Sequence, residues 1–320
     1  TGKSVVNLVS NPSATAAGMS SGVSRFFKRT ARKAKDTGKE VSDSVSESVG
    51  DEDQGEDTDS DGKEQAAELG TKVAYSYLGV GKAQRELARD LDVDPYSSNT
   101  VLQAELSRVA KSSGSVGKLT KILIPIPAVV GMAAHVNNLV WSLSPTDLLI
   151  QNEEKLGALG YKKKLIHKFF DNKAFTPTRQ TAIVAALVAL DDVKGREVLL
   201  DIAISVETPI EGQFVVRSIL FAQLFHQSVE PIVEFMSVPD MVVPAAIAAS
   251  GDGLIIAPVD QLLWTQEIET ALHRLSGVIE DHGASDEHLM WVEGRVSDLA
   301  LGELRARGWV RSEARFEELE

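Results

Sequence analysis

The chain has 320 residues, 43% of them hydrophobic and 25% charged, which is ordinary for a soluble globular protein of one large domain or two. Its formal net charge of −13 argues against general nucleic-acid binding, and no nucleic-acid partner is expected. There is no cysteine, which excludes a disulfide framework, a thiolate metal site and a cysteine nucleophile. The chain begins at Thr1 and reads as a fragment or a processed form, so a preceding targeting peptide is compatible with it.

Residues 1–75 are rich in Ser, Gly, Asp, Glu and Lys and poor in large apolar side chains. Such a segment buries too little surface to offset its ordering entropy, and a disordered charged arm is expected. Two stretches within it carry more pattern. In 23–35, Val23, Phe26, Phe27, Thr30, Ala31 and Ala34 follow helical spacing, while Arg25, Lys28, Arg29, Arg32, Lys33 and Lys35 fill the other face. This is the pattern of a basic amphipathic helix that lies on an anionic membrane surface or in a partner protein's groove. The plainer reading is a solvated charged helix. In 57–68, Asp57, Asp59, Asp61, Gly62 and Glu68 fit the calcium-loop pattern, with glycine at the sharp bend and glutamate as the bidentate closer. Glu64 stands where such loops place an apolar residue, and acidic Ser/Asp tracts match this pattern by chance. Calcium is the one cofactor the sequence raises; otherwise none is expected.

A helical body is expected over 76–239. In 85–106 the sequence reads helix, turn, helix. Ala83, Leu87 and Leu91 share one face, Pro95 stops the first helix, and Asp92 and Asp94 suit the turn. Ser98 or Asn99 caps the second helix, which turns Val101, Leu102, Leu106 and Val109 inward, with Tyr96 in the crook between the two. A carboxylate site built from Asp90, Asp92 and Asp94 is the functional alternative to plain turn chemistry.

The core of this stretch, from Val93 through Asn99 and on to Val101, Leu102 and Gln103, resembles a family of uncharacterised bacterial hypothetical proteins. The likeness extends to Gly22, Val23, Arg25, Phe26 and Phe27 upstream. Downstream it takes in Ser144 and Pro145, and then Asn172, Ala174, Phe175, Pro177, Gln180 and Thr181. It spans about residues 22–310. The resemblance implies no activity; it implies an exported or periplasmic protein.

The run 122–140 is the most apolar in the chain, but Pro125, Pro127, His135, Asn137 and Asn138 interrupt it. A spanning helix needs about 20 mainly apolar residues, so a buried, proline-broken core segment is preferred over a membrane hairpin. From 144 the pattern becomes regular. Ser144-Pro145, Thr176-Pro177 and Thr208-Pro209 each set a cap residue before proline at the first helical position, 32 residues apart both times (176 − 144 and 208 − 176). Asp147 and Glu211 complete capping boxes. Second helices centre on 165–170, 198–204 and 229–235. Either a stack of helical hairpins or three unrelated helix pairs satisfies this pattern, and poor identity between the units favours the latter.

From 240 to 320 a small α+β part is expected. Short β-like runs at 242–249 and 254–259 flank Ser250-Gly251-Asp252-Gly253, a hairpin signal, while Pro244 and Pro258 suggest edge or broken strands. A helix over 267–279, a strand near 289–293 and a helix from Ser297 to Leu304 closed by Gly308 follow. The fold class expected for the whole is mainly α, with this α+β tail and the arm in front.

Signals for chemistry are thin. The six histidines form no metal-ligand spacing, and His282 and His288 near Asp281, Asp286 and Glu287 read as loop solvation before they read as a metal cluster. Gly2-Lys3-Ser4 and Gly79-Val80-Gly81-Lys82 lack the rest of any nucleotide fingerprint, and no GxSxG elbow occurs. Asp260 and Glu293 stand at the ends of expected strands, where a carboxylate can serve as general acid or base; a helix cap is the competing role for both and the preferred one for Asp260. Trp141, Trp264, Trp291 and Trp309 read as core or interface anchors. The sequence thus favours a non-enzymatic binding or scaffold module tethered by its basic arm. A carboxylate hydrolase and a calcium-responsive arm are the alternatives.

Overall fold

The computed structural model describes residues 76–111, 132–239, 241–285 and 287–313. The basic stretch 23–35, the calcium-loop pattern 57–68 and the segment 122–131 lie outside them. The described residues form ten helices and seven strands. The fold is mainly α, with the sheet confined to its C-terminal part.

Helix α1 (Lys82–Asp90) and α2 (Thr100–Lys111) form the hairpin read from the sequence. α1 stops before Pro95: the chain turns at Asp92, whose φ of 55° is left-handed. Asn99 caps α2, its Oδ1 accepting from the backbone N–H groups of Val101 at 3.1 Å and Leu102 at 3.2 Å. Leu106 faces inward as expected, but Val101 is 71% exposed.

α3 (Met132–Ser142) buries Val136 and Val140 and leaves His135 and Asn138 exposed. The three cap-and-proline sites each start a helix. α4 (Pro145–Ala158) and α8 (Pro209–Ser228) carry full capping boxes, and at α6 (Pro177–Ala189) the Thr176 hydroxyl accepts from the Arg179 N–H. α5 (Lys163–Phe170) and α7 (Glu197–Ser205) are the second helices of the first two pairs.

The third pair fails. Where a helix over 229–235 was expected, the chain forms strand β1 (Ile232–Met236). Pro231 and β-branched Ile232 and Val233 favour an extended chain, and β2 offers an edge with which to pair. β2 (Ala245–Ala248) and β3 (Gly253–Ala257) then form the expected hairpin. They are interior strands, not edges. Pro244 precedes β2 and Pro258 follows β3, so neither proline removes a ladder bond.

The five-stranded sheet runs β1-β2-β3-β5-β7, with β5 (His288–Val292) and β7 (Trp309–Glu313) parallel to β3. α9 (Gln266–Asp281) and α10 (Asp298–Arg305) make the two crossovers. Beyond the ends of β3 and β5, two-residue strands β4 (Gln261–Leu262) and β6 (Arg295–Val296) pair in parallel as a second small sheet.

Alternation along the strands buries both faces of the main sheet. Ala246, Leu254, Ile256 and Trp291 join the core of the helical body, where Trp291 meets Phe221 and Phe225 of α8 with ring centroids 4.5 and 5.2 Å away. Ala245, Ile255, Met290 and Trp309 face α9 and α10. The sheet is therefore the middle of three layers. On the β1 edge, Lys194 forms a bridge: its N–H donates to Val233 O at 3.1 Å and its carbonyl accepts from Phe235 N at 2.8 Å.

Candidate functional site

Asp94, Tyr96, Asn172, Gln180 and Thr181 are engaged in holding helices together. Asp94 Oδ1 accepts from the Tyr96 backbone N–H at 2.9 Å and from the Thr178 hydroxyl at 2.5 Å, which sets its carboxylate at the N-terminus of α6. Burial pushes the Asp94 carboxyl above its ordinary range, against these two hydrogen bonds and the nearby Arg179. Tyr96 is fully buried. It does not fill the crook of the hairpin; it crosses to the body, stacks edge-on against Tyr77 and donates to Leu143 O at 2.7 Å. Burial, chiefly, drives its phenol far above the usual range.

The downstream run behaves alike. Asn172 Nδ2 donates to the carbonyls of Ala203 at 3.1 Å and Val206 at 2.8 Å, and Oδ1 accepts from the Ala174 N–H at 2.9 Å. Those carbonyls belong to the C-terminal end of α7, where helices leave acceptors unmatched. Phe175 is buried against Phe169. Gln180 Nε2 donates to Phe170 O at 3.1 Å, and Thr181 Oγ1 accepts from Asn152 Nδ2 at 2.9 Å. The postulated Asp90–Asp92–Asp94 site does not form as a shared centre: Asp90 and Asp92 are exposed, and Asp94 is bound as described.

The other candidate lies at the carboxyl ends of β3 and β5, the end of a parallel sheet at which ligands bind in open α/β folds. Asp260 and Glu293 do converge there, on one guanidinium. Arg217 of α8 reaches across to pair with Glu293 through a short Nη2–Oε2 contact, and with Asp260 Oδ1 at 3.5 Å. Glu293 is largely covered, its side chain 19% exposed, whereas Asp260 is 91% exposed. Burial works against the charge on Arg217, but the hydrogen bond and attraction of Glu293, then Asp260, outweigh it and raise its pKa. Arg217 Nε is buried without a partner.

Gly294 fixes the geometry. A Cβ there would lie 2.1 Å from the Asp260 carbonyl oxygen, so only glycine lets the two strand-end turns touch. Asp260 caps no helix; Thr265 caps α9, accepting from the Ile268 N–H. Sequence reasoning picked out both carboxylates and missed the arginine. Its signal is a lone cation inside the apolar stretch 214–221 of α8.

Elsewhere, His226 Nδ1 accepts from the Ile232 N–H at 3.0 Å, which leaves its Nε2 facing Asp192 at 3.8 Å. His288 is buried beside Trp309. Trp264 lies under the Arg307 guanidinium, 4.7 Å from the ring centroid. Among the described residues no group of three or more His, Asp or Glu could hold a metal ion, and no helix is long and apolar enough to cross a membrane. The chain matches no family model, no curated protein and no solved structure.

Proposed function

We propose that this is a non-enzymatic binding or scaffold module, held at an anionic membrane surface by residues 23–35. The reading rests on charge segregation. In a chain of net charge −13, that stretch places Arg25, Lys28, Arg29, Arg32, Lys33 and Lys35 together with no acidic residue among them. Each such cation is worth about 1 kcal/mol near an anionic leaflet, and Phe26 and Phe27 add apolar insertion. The proposal places the protein with the uncharacterised, exported bacterial family that its motifs resemble. The use of Asp94, Tyr96, Asn172, Gln180 and Thr181 as interlocks between helices supports a scaffold role for the body.

Co-sedimentation with vesicles of anionic and of neutral lipid, at low and moderate salt, tests it. The full chain should pellet with anionic vesicles and release as salt rises. The same chain carrying Arg25→Glu, Lys28→Glu and Arg29→Glu should not pellet. Equal behaviour of the two chains sinks the tether and leaves a protein groove as the remaining partner for this stretch.

One observation keeps a hydrolase reading in view: Asp260 and Glu293 converge at the carboxyl end of a parallel sheet. Both are engaged by Arg217, which suits a clamp better than an acid–base pair. Turnover of ester, phosphoester or glycoside substrates that Glu293→Gln abolishes would reverse that preference. Calcium binding at Asp57, Asp59, Asp61 and Glu68 is a third reading, tested by calorimetric titration of the full chain against Asp57→Ala.

A further inference from the structure

The α1–α2 hairpin is held differently from the other helices. Leu87, Ala88, Val93 and Leu106 form a small apolar cluster of their own, separate from the main core. Tyr77, Val80 and Tyr96 of this unit reach that core, and Trp141 of α3 packs against both clusters. Three of the hydrogen bonds that cross the seam are Tyr96 hydroxyl to Leu143 O at 2.7 Å, Trp141 Nε1 to Val93 O at 3.0 Å, and Thr178 hydroxyl to Asp94 Oδ1 at 2.5 Å.

Ionisable side chains also lie at this seam. Asp94 is one, near Arg179 of α6. Arg85 is another, which is buried, donates to Val80 O at 2.8 Å and has an Nε without a partner. Ionisable groups in a seam cost desolvation that their contacts only partly repay. On the outside, the ion pairs Lys82–Glu86 and Glu105–Arg108 are exposed and add little. α6 and α8, by contrast, bury Ile183, Val184, Leu187, Phe221 and Phe225 in the main core. Elements with few buried apolar contacts open first and as units.

We infer that residues 76–111 form a latch, which opens as one piece while α4–α8 and the sheet stay folded, with the three crossing hydrogen bonds setting its equilibrium. Opening uncovers the body side of the seam: the Leu143 carbonyl that holds Tyr96, the Thr178 hydroxyl that holds Asp94 and the Trp141 face of α3 that holds Val93. The latch directly follows residues 1–75 in the chain, so a partner that engages the arm and prefers the open form shifts the latch by its difference in affinity for the two states. The inference stands on the hairpin's contacts and does not depend on the tether.

Native-state hydrogen exchange of the full chain, read peptide by peptide, tests it. Amides of α1 and α2 should share one opening equilibrium, more populated than that of α6 and α8. Tyr96→Phe keeps the ring and removes one crossing bond. It should speed exchange across 82–111 about tenfold, leaving α6 and α8 unchanged. Thr178→Val should do the same from the body side of the seam. Exchange of α1 and α2 in step with α8, exchange of α1 and α2 at unrelated rates, or acceleration spread evenly over all helices would each overturn the latch.

Discussion

Asn172→Ala is the sharpest test of the claim that the downstream motif residues are architectural. The side chain closes the end of α7 by donating to Ala203 O and Val206 O, and it fixes its own turn by accepting from Ala174 N. Alanine removes all three bonds and leaves two carbonyls and one N–H to find water in a half-buried site. At about 1 kcal/mol net per bond, the loss is about 3 kcal/mol. For a folded unit of this size, 1 kcal/mol moves Tm by about 2–4 °C, so a fall of about 6–12 °C is expected. Asn172→Asp keeps the acceptor for Ala174 but sets a carboxylate against two carbonyls, and should cost at least as much. Urea unfolding followed by circular dichroism, with calorimetric Tm, measures both. A change within about 0.5 kcal/mol for Asn172→Ala, the size of a neutral surface substitution, would refute the reasoning and make Asn172 available for a role in binding.

Three further outcomes are expected. Gly195 has φ +71° and a Cβ there would lie 2.0 Å from Phe235 O, so Gly195→Ala should destabilise by more than 1 kcal/mol and loosen β1, seen as faster exchange at Phe235. Burial raises the Asp94 carboxyl above its unfolded value, so its contribution to stability is fully present below that unfolded value and lost as pH rises through the folded one. Asp94→Asn should erase this component: the stability of the native chain relative to the variant should grow on acidification towards about pH 4, and a flat difference over that range would count against it. Glu293→Gln should cost about 1–2 kcal/mol by weakening the clamp on partly buried Arg217, whereas Asp260→Asn, at an exposed partner, should cost under about 0.5 kcal/mol; equal costs in urea titrations would contradict the geometry.

What the sequence discloses here is what local chemistry decides. Ser144, Thr176 and Thr208 before prolines fix three helix starts, because capping needs only residues within one turn. The β2–β3 hairpin is legible for the same reason, in Gly251 and its neighbours. The third helix pair misleads because Ile232, Phe235 and Met236 suit a helical face as well as a strand, and partners far along the chain, Lys194 and β2, choose between them. Asp260 and Glu293 are visible as carboxylates at strand ends. Arg217, 76 residues before Glu293, is not, because a salt bridge across layers leaves no periodic trace.

The three-layer arrangement also governs the order in which the chain can be completed as it is synthesised. Phe221 and Phe225 leave the ribosome with α8, but the aromatic ring that covers them belongs to β5, which is made only after β2, β3 and α9. Because β5 pairs in parallel with β3, and β7 with β5, each of these two later strands must wait for its crossover helix before it can dock. During that interval the nascent helical body presents a bare aromatic face, the kind of surface to which holding chaperones bind.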